Sequence, residues 1–378
     1  MNVTTEVDPH LIAVAAELPR PEYSTDELIA AGRGHLSDRL VAMLSKLGIQ
    51  KRHSILSNYP DVLFRGAEPE LDIPASTLAA RAVRTCLAKA DVPMDSIGLV
   101  LGVSSSPARL LPSLVCDLFA LIPEIPRTAA NLSIEFMGCS SMAKAVDTAR
   151  WFLNYRPEQH VLVCFMDAIT PLSPELPDFY SHFSEVDVEG RQGTVNVLHG
   201  FLFADAAVAM VFGAQGGGPS FGPVANLTNE RASDAELGTV PDGGSDIPLV
   251  YGRRAYTLSP DVTPRGAFYA SETLKRVLDS DECKLRDPSE AAVLLMHTGS
   301  TRILDELCAQ FGVQPEDDIV GSSYRVLRDY GNTIGCSVPL MLAEPTRRPP
   351  GQGLVVSFGL SFACGAFTMN IPDGGWRP

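Results

Sequence analysis

Short, unbroken apolar runs alternate along this chain with stretches whose apolar residues recur every three or four positions. Leu11–Ala16, Ile97–Val103, Ala129–Phe136 and Val161–Phe165 are of the first kind and predict buried strands. Ser24–Ala31, Ser37–Leu47, Ser76–Ala90 and Ser113–Leu121 are of the second kind and predict helices. In Ser76–Ala90 the apolar face is Leu78, Ala82, Val83 and Leu87, with Ser76 or Thr77 placed as the cap. Phe201–Phe212 is a longer apolar run holding one acid, Asp205, and Gly213 closes it. Gly213–Gly222 lacks the lysine and the glycine spacing of a phosphate-binding loop, so it reads as a linker. Asn229–Asp246 is polar and reads as a surface excursion. Alternation resumes through Phe268–Leu278, Ala291–Met296, Arg302–Phe311, Val338–Leu342, Leu354–Phe358 and Ala363–Asn370. The two stretches, 1–213 and 214–378, share a grammar that predicts a layered α/β enzyme with mostly parallel central strands.

Composition narrows the function classes. The 378 residues are 45% hydrophobic and 20% charged, enough apolar material for a large core. A formal net charge of -15 argues against non-specific nucleic-acid binding, leaving only local basic patches such as Lys51-Arg52-His53. No apolar run approaches the roughly 18 residues that span a bilayer, and the polar start Met1–Pro9 does not read as a signal peptide. Eight cysteines are scattered without a C-x-x-C pair, which disfavours a zinc ribbon and suits reduced thiols in a cytoplasm. His182 among Glu185, Asp187 and Glu189 has no ligand-like spacing and reads as a solvated loop, so no metal is expected.

One cysteine has a suggestive address. Phe136-Met137-Gly138-Cys139-Ser140-Ser141 lies between the Ala129–Phe136 strand and a helical pattern of Met142, Ala145, Val146, Ala149 and Phe152. A thiol at a helix N-terminus sits at the positive end of the backbone dipole, which favours thiolate. Small Ser140 and Ser141 leave room for a substrate. Taken alone, a free cysteine is more often a small core residue. Downstream, the strand ending at Met296 leads into His297-Thr298-Gly299, poised toward the crevice where α/β sheets place ligands. Asn332 follows in Tyr330-Gly331-Asn332-Thr333, which by itself suits a tight turn. Ser357-Phe358-Gly359-Leu360-Ser361-Phe362 then breaks two apolar strands and can offer backbone N–H groups, or be a plain hairpin turn. Cys, His and Asn together suit thioester chemistry: a covalent acyl carrier and two donors for an enolate oxygen.

The ordered set resembles the thiolase-fold condensing enzymes, on the side of type III polyketide synthases and ketoacyl synthase III. Gly48-Ile49-Gln50-Lys51-Arg52 is similar to an early G-I-x-x-R stretch, and Met137-Gly138-Cys139-Ser140 to the nucleophile turn. Phe203-Ala204-Asp205-Ala206-Ala207 resembles L-F-x-D-G-A-A, with Ala206 for the usual Gly. His297–Asp305 resembles H-P-G-G-x-x-I-L-D, and Tyr330–Thr333 matches Y-G-N-[TM]. Ser357–Ala366 resembles the C-terminal G-F-G-x-G loop, and Tyr256–Val262 a segment of the type III second half. These matches run over nearly the whole chain.

The resemblance implies a layered α-β-α-β-α fold with two pseudo-symmetric halves, the first carrying Cys139 and the second His297 and Asn332. It implies that Cys139 takes an acyl group from a thioester and is activated as a Cys–imidazolium pair with His297. His297 and Asn332 would hold the enolate left by decarboxylation of a malonyl thioester. The N–H groups of Cys139 and Leu360 would form the oxyanion hole. Lys51 and Arg52 are candidates for coenzyme A phosphates, or a solvated helix end, and His199 for the substrate pocket. Asp205 is structural in this pattern. The implied partners are acyl-CoA and malonyl-CoA or acyl carrier protein, as substrates with no cofactor, and a second copy in a homodimer. Departures fall at Leu360 for Gly, Thr298 and Ser300 for Pro and Gly, and Ser141-Met142 for smaller residues. His297 lies 158 residues after Cys139, with surplus length expected in 175–197 and 229–250. Two other readings stay open: acyl transfer from Cys139 to an alcohol or amine without condensation, and a partner subunit of a heteromeric condensing enzyme. A papain-like protease shares the residue types, but its segment around the cysteine differs.

Overall fold

The computed structural model describes residues 6–173, 191–240, 257–297, 299–360 and 362–378. His182 with its neighbouring acids, Tyr256, Thr298 and Ser361 lie outside the described residues. The first half runs β1 (His10–Glu17), β2 (Glu22–Ser24), α1 (Thr25–Ala31), α2 (Asp38–Leu44), β3 (Lys51–His53), α3 (Tyr59–Arg65), α4 (Ala75–Ala90) and β4 (Ile97–Ser104). It continues with α5 (Leu114–Leu121), β5 (Ala130–Glu135), α6 (Ser141–Tyr155), β6 (His160–Asp167), α7 (Arg191–Leu202) and β7 (Ala206–Gly213). The second half opens with β8 (Ser220–Phe221), β9 (Ala225–Thr228), β10 (Gly238–Thr239), β11 (Thr257–Leu258), α8 (Val262–Leu278) and β12 (Leu294–Met296). It ends with α9 (Thr301–Gln310), α10 (Gly321–Tyr330), α11 (Ser337–Ala343), β13 (Gly351–Phe358) and β14 (Ala363–Ile371).

Local chemistry explains several element starts. Ser24 and Glu27 form a reciprocal capping box at α1, and Ser37 caps α2 by accepting from the Leu40 N–H. At α4 the expected cap is displaced. Pro74 precedes the helix with no side-chain cap, and Ser76 and Thr77 fall inside the first turn. The apolar run at 201–212 is two elements. Phe201 and Leu202 end α7, Asp205 lies in the connection, and the strand begins at Ala206.

The strands join in the order β12-β13-β14-β8-β1-β7-β6-β4-β5, with β9 also paired to β14. β4 pairs in parallel with β5 and β6, and β12 with β13. The pairs β1–β7, β6–β7 and β13–β14 are antiparallel, so the sheet is mixed rather than mostly parallel. A strand covered on both faces is apolar throughout in either case, so the sequence pattern does not reveal direction. The glycine-rich linker contributes β8, which pairs with both β1 and β14 and ties the halves together.

Side-chain alternation along each strand builds the layers. In β6, Val161, Val163 and Phe165 join the core shared with α6, while Leu162, Cys164 and Met166 face the core under α4. In the second half, Val293 and Leu295 face the shared core, while Leu294 and Met296 face the core beneath α8 and α9. α6 packs on β4, β5, β6 and also β14; α11 packs on β1, β7 and β12. These two helices form a middle layer between the halves of the sheet, with α4 and α5 outside one half and α8 and α9 outside the other.

Candidate active site

The same alternation sends particular strand ends into the middle layer. Ser105 follows β4 in phase with Leu101 and Val103, Asp167 closes β6 in phase with Phe165, and His297 follows β12 in phase with Leu295. There they meet the starts of α6 and α11. A cavity of about 480 Å³ opens at this meeting, and Ser105, Cys139, His297, Asn332 and Leu360 all line it.

Backbone geometry fixes the cysteine and the asparagine. Cys139 sits in a 3-10 turn, Gly138–Ser140, that precedes α6. Gly138 has φ +54°, and its N–H donates to Ser105 Oγ at 2.9 Å. The Gly359–Leu360 turn lies directly against this backbone. A Cβ at Gly359 would stand 2.6 Å from the Met137 carbonyl oxygen and 3.1 Å from the Cys139 nitrogen. Only glycine permits that approach. Leu360, where the sequence departs from Gly, is absent from the positive-φ residues, so its side chain brings no left-handed strain. Asn332 is anchored through its backbone: its N–H donates to Leu202 O at 2.9 Å, and its O accepts from Ala204 N–H at 3.1 Å. Its Oδ1 accepts from the Ile334 N–H at 2.9 Å, which leaves Nδ2 as a donor in the cavity wall. Among the described residues, five non-glycine residues have positive φ, and two of them, Phe136 at 58° and Ile334 at 52°, line the cavity. Strain of this kind persists where surrounding structure holds it, commonly at functional sites.

The electrostatics depart from the dipole expectation. The Cys139 thiol is held well above its ordinary value, first by burial and then by the Asp167 carboxylate, with a backbone N–H acting the other way. Burial lowers His297 to about 4. Among the described residues its buried Nδ1 has no hydrogen-bond partner, and its ring packs edge-on to Phe358 at 5.1 Å. Both shifts favour a neutral thiol and a neutral imidazole over the expected Cys–imidazolium pair. Asp167 was not foreseen from the sequence. It accepts from Ser105 N–H at 2.7 Å, Ser106 N–H at 3.1 Å, Ser106 Oγ at 2.9 Å and Gly335 N–H at 2.8 Å. It thus braces the end of β4 against the turn that follows Asn332. Burial still raises it to about 6 against those four donors. Its signal was available: a lone acid in phase with the inner face of β6.

Comparisons with known proteins agree with this fold. Residues 284–371 match the family described as 3-oxoacyl-[acyl-carrier-protein] synthase III C terminal. A beta-ketoacyl-[acyl-carrier-protein] synthase III of Oleidesulfovibrio alaskensis is 25% identical over 308 residues, covering 78% of this chain and 84% of that protein. Bisdemethoxycurcumin synthase of Oryza sativa subsp. japonica is 27% identical over 371 residues, covering 89% and 83%. The type III polyketide synthase domain of Steely1 from Dictyostelium superposes with a TM-score of 0.78 at 15% identity, covering 96% of this chain and 99% of that one. The fold and the matched relatives are those of thiolase-fold condensing enzymes.

Several expected site residues of this condensing enzyme fall elsewhere. Arg52 is fully buried, and its Nη2 donates to Thr25 Oγ1 at 2.7 Å and Phe201 O at 2.9 Å. Burial lowers it to about 10, so it is a core brace and not a surface phosphate contact. Lys51 is exposed and paired with Glu22 at 2.8 Å. His199 is 2% exposed and does not line the cavity. Its ring lies 4.7 Å from that of Phe203, which does line it, and burial lowers His199 to about 3. Ser140, Ser141 and Met142 are packed into the interior, so they leave no room for substrate. Asp205 has the structural part expected of it. Its carboxylate accepts from the N–H groups of Ile55, Ile169 and Thr170 and from the Thr170 hydroxyl, pinning two connections beneath the sheet. The polar excursion at 229–246 is corrected in part: Ala235, Gly238, Thr239 and Val240 are cavity wall, and 241–246 lie outside the described residues. Among the described residues no cluster of three or more His, Cys, Asp or Glu is grouped to hold a metal, and no helix is long and apolar enough to cross a membrane.

Proposed function

We propose that the enzyme condenses an acyl thioester with a malonyl thioester by decarboxylative Claisen reaction. The observation that carries this is one cavity lined by Cys139, His297 and Asn332, with the Leu360 turn against the cysteine backbone. Because the thiol is held high and the imidazole neutral, His297 acts as the base that takes the Cys139 proton as sulfur attacks the thioester carbonyl. The carbon–sulfur bond to the donor breaks, and its thiol leaves with a proton. The N–H groups of Cys139 and Leu360 hold the tetrahedral oxyanion. A malonyl thioester then enters. Its carboxylate leaves as CO2, and the bonding pair becomes an enolate whose oxygen takes hydrogen bonds from His297 and the Asn332 amide. The enolate carbon attacks the acyl group on Cys139, the carbon–sulfur bond breaks, and the departing thiolate takes a proton from solvent to regenerate the thiol. No resident cofactor is required by these steps.

Coenzyme A or carrier-protein thioesters are the substrates in this reading, in a cytoplasmic homodimer. The dimer is supported by β5, which among the described residues ends the sheet order with an unpaired edge. Exposed Leu132 lies in it and exposed Phe136 directly follows it. An open, apolar edge of this kind is a pairing surface that proteins normally cover. Transfer without condensation has less need of Asn332, and a partner subunit has no need of the intact set.

The test is incubation with acyl-CoAs and malonyl-CoA, read by protein and product mass. The expected result is an acyl adduct on Cys139, CO2 release and a β-keto product longer by two carbons. An unchanged acyl group moved to an alcohol or amine would overturn condensation in favour of simple transfer. A folded protein that takes no acyl group from any thioester would overturn catalysis.

A further inference from the structure

The excursion that became cavity wall is bolted down by an ion cluster outside the catalytic set. Asp234 is 3% exposed, and its carboxylate accepts from Arg265 Nε at 3.2 Å, Arg265 Nη2 at 2.5 Å and Tyr269 Oη at 2.8 Å. Arg265 also donates to Glu230 at 2.7 Å, and its guanidinium lies over the Phe268 and Tyr269 rings at 4.6 and 5.4 Å. The Tyr269 hydroxyl accepts from the Glu230 N–H at 2.5 Å, and the Tyr269 ring packs on Phe362 at 5.5 Å. Ser259 N–H donates to Leu237 O at 2.7 Å, a second tie between the wall and the start of α8. Residues 229–240 are thereby fixed to α8 at several points.

The cavity this wall lines is chemically one-sided among the described residues. Cys139 and His297 are its only titratable lining side chains among the described residues. Away from them the lining includes Leu202, Phe203, Val240, Val262, Ile303 and Phe358. Among the described residues no Lys, Arg, Asp or Glu side chain is there to meet a charge on the acyl group. Its volume of about 480 Å³ leaves room for an alkyl chain beside the reacting carbonyls.

We infer that residues 235–240, held by the Arg265–Asp234–Tyr269 clamp, are the ruler that selects an uncharged, apolar acyl group of medium length. This rests on the condensing reading, since it concerns the group that Cys139 carries. The apolar lining gains from each buried methylene, and the clamped wall sets where that gain stops. A loosened wall would let longer chains in.

The experiment measures acyl loading of Cys139 by intact mass, over straight-chain acyl-CoAs from two to sixteen carbons and one ω-carboxyacyl-CoA. The unsubstituted enzyme is expected to load medium chains at least tenfold faster than the ω-carboxy one. Val240→Trp, at a position 38% exposed and so tolerant of bulk, is expected to raise the ratio of short-chain to medium-chain loading at least tenfold. Val240→Ala and Asp234→Asn are expected to extend the profile toward long chains. A profile identical in all variants, or one favouring the ω-carboxy chain, overturns the ruler while the adduct still supports the condensing reading. Absence of any adduct, short chains included, overturns both.

Discussion

The two halves of this enzyme repeat one order of elements and use it for different chemistry. In the first, α4 leads to β4, α5, β5, a 3-10 turn, α6, then β6, α7 and β7. In the second, α8 leads to β12, α9, a 3-10 turn, α11, then β13 and β14, with α10 standing where the first half has β5 and, among the described residues, no counterpart of α7. The pairing repeats as well: β4 with β6 and β12 with β13 are parallel, and β6 with β7 and β13 with β14 antiparallel. The first half places Cys139 in its turn; the second places Asn332 just before its own, Ile334–Cys336. The two turns meet backbone to backbone. A Cβ at Gly335 would stand 2.6 Å from Ser141 Oγ and 3.6 Å from the Gly138 carbonyl oxygen. The two halves supply two similar addresses at one junction, and the sequence fills one with a cysteine and the other with an asparagine.

If the halves divide the work in this way, substitutions should separate two partial reactions. Cys139→Ala is expected to abolish acyl loading yet keep malonyl decarboxylation. Asn332→Ala is expected to keep loading and lower decarboxylation by on the order of 10²–10³-fold, as loss of one oxyanion donor does. Radioactive CO2 release and protein mass read the two separately. Equal loss of both reactions in both variants would break the comparison.

Gly359→Ala probes how closely the second half must approach the first. The added Cβ meets the Met137 carbonyl oxygen at 2.6 Å, so the turns must part. Loading is expected to fall by on the order of ten- to a hundred-fold, a fraction of a full donor loss. Stability should fall by about 1–3 kcal/mol, the range for overpacking. Unaltered loading with the melting temperature preserved would show that the contact is slack.

The smallest effect sharpens the charge state across the junction. Thiolate is the reactive form, and burial and Asp167 hold the thiol well above its ordinary value. Alkylation of Cys139 in the free enzyme should therefore rise about tenfold per pH unit and keep rising past about pH 9, the ordinary thiol value. A plateau near neutral pH would mean that His297 is charged and that the pair is preformed.

Much of the site was legible because its residues stand at the ends of segments with clear periodicity. Cys139, His297 and Asn332 each follow or precede an apolar run, and Leu360 interrupts a strong hairpin. Arg52 was misread because a basic residue beside Lys51 looks solvated in sequence, while β3 turns it inward against Phe201. The wall at 235–240 was misread because its polar anchors, Glu230 and Asp234, resemble solvated acids until Arg265 is brought to them.

The sequence by itself determined the elements, the ordered motifs and the identity of the reactive groups, since these depend on local periodicity and residue chemistry. The tertiary structure alone decided their charge states and the shape of the cavity. Burial of Cys139, His297 and Asp167 depends on which layers close over them, and the clamp on the wall joins residues some thirty positions apart. Desolvation and long-range contact are properties of the packed chain, and no window of sequence contains them.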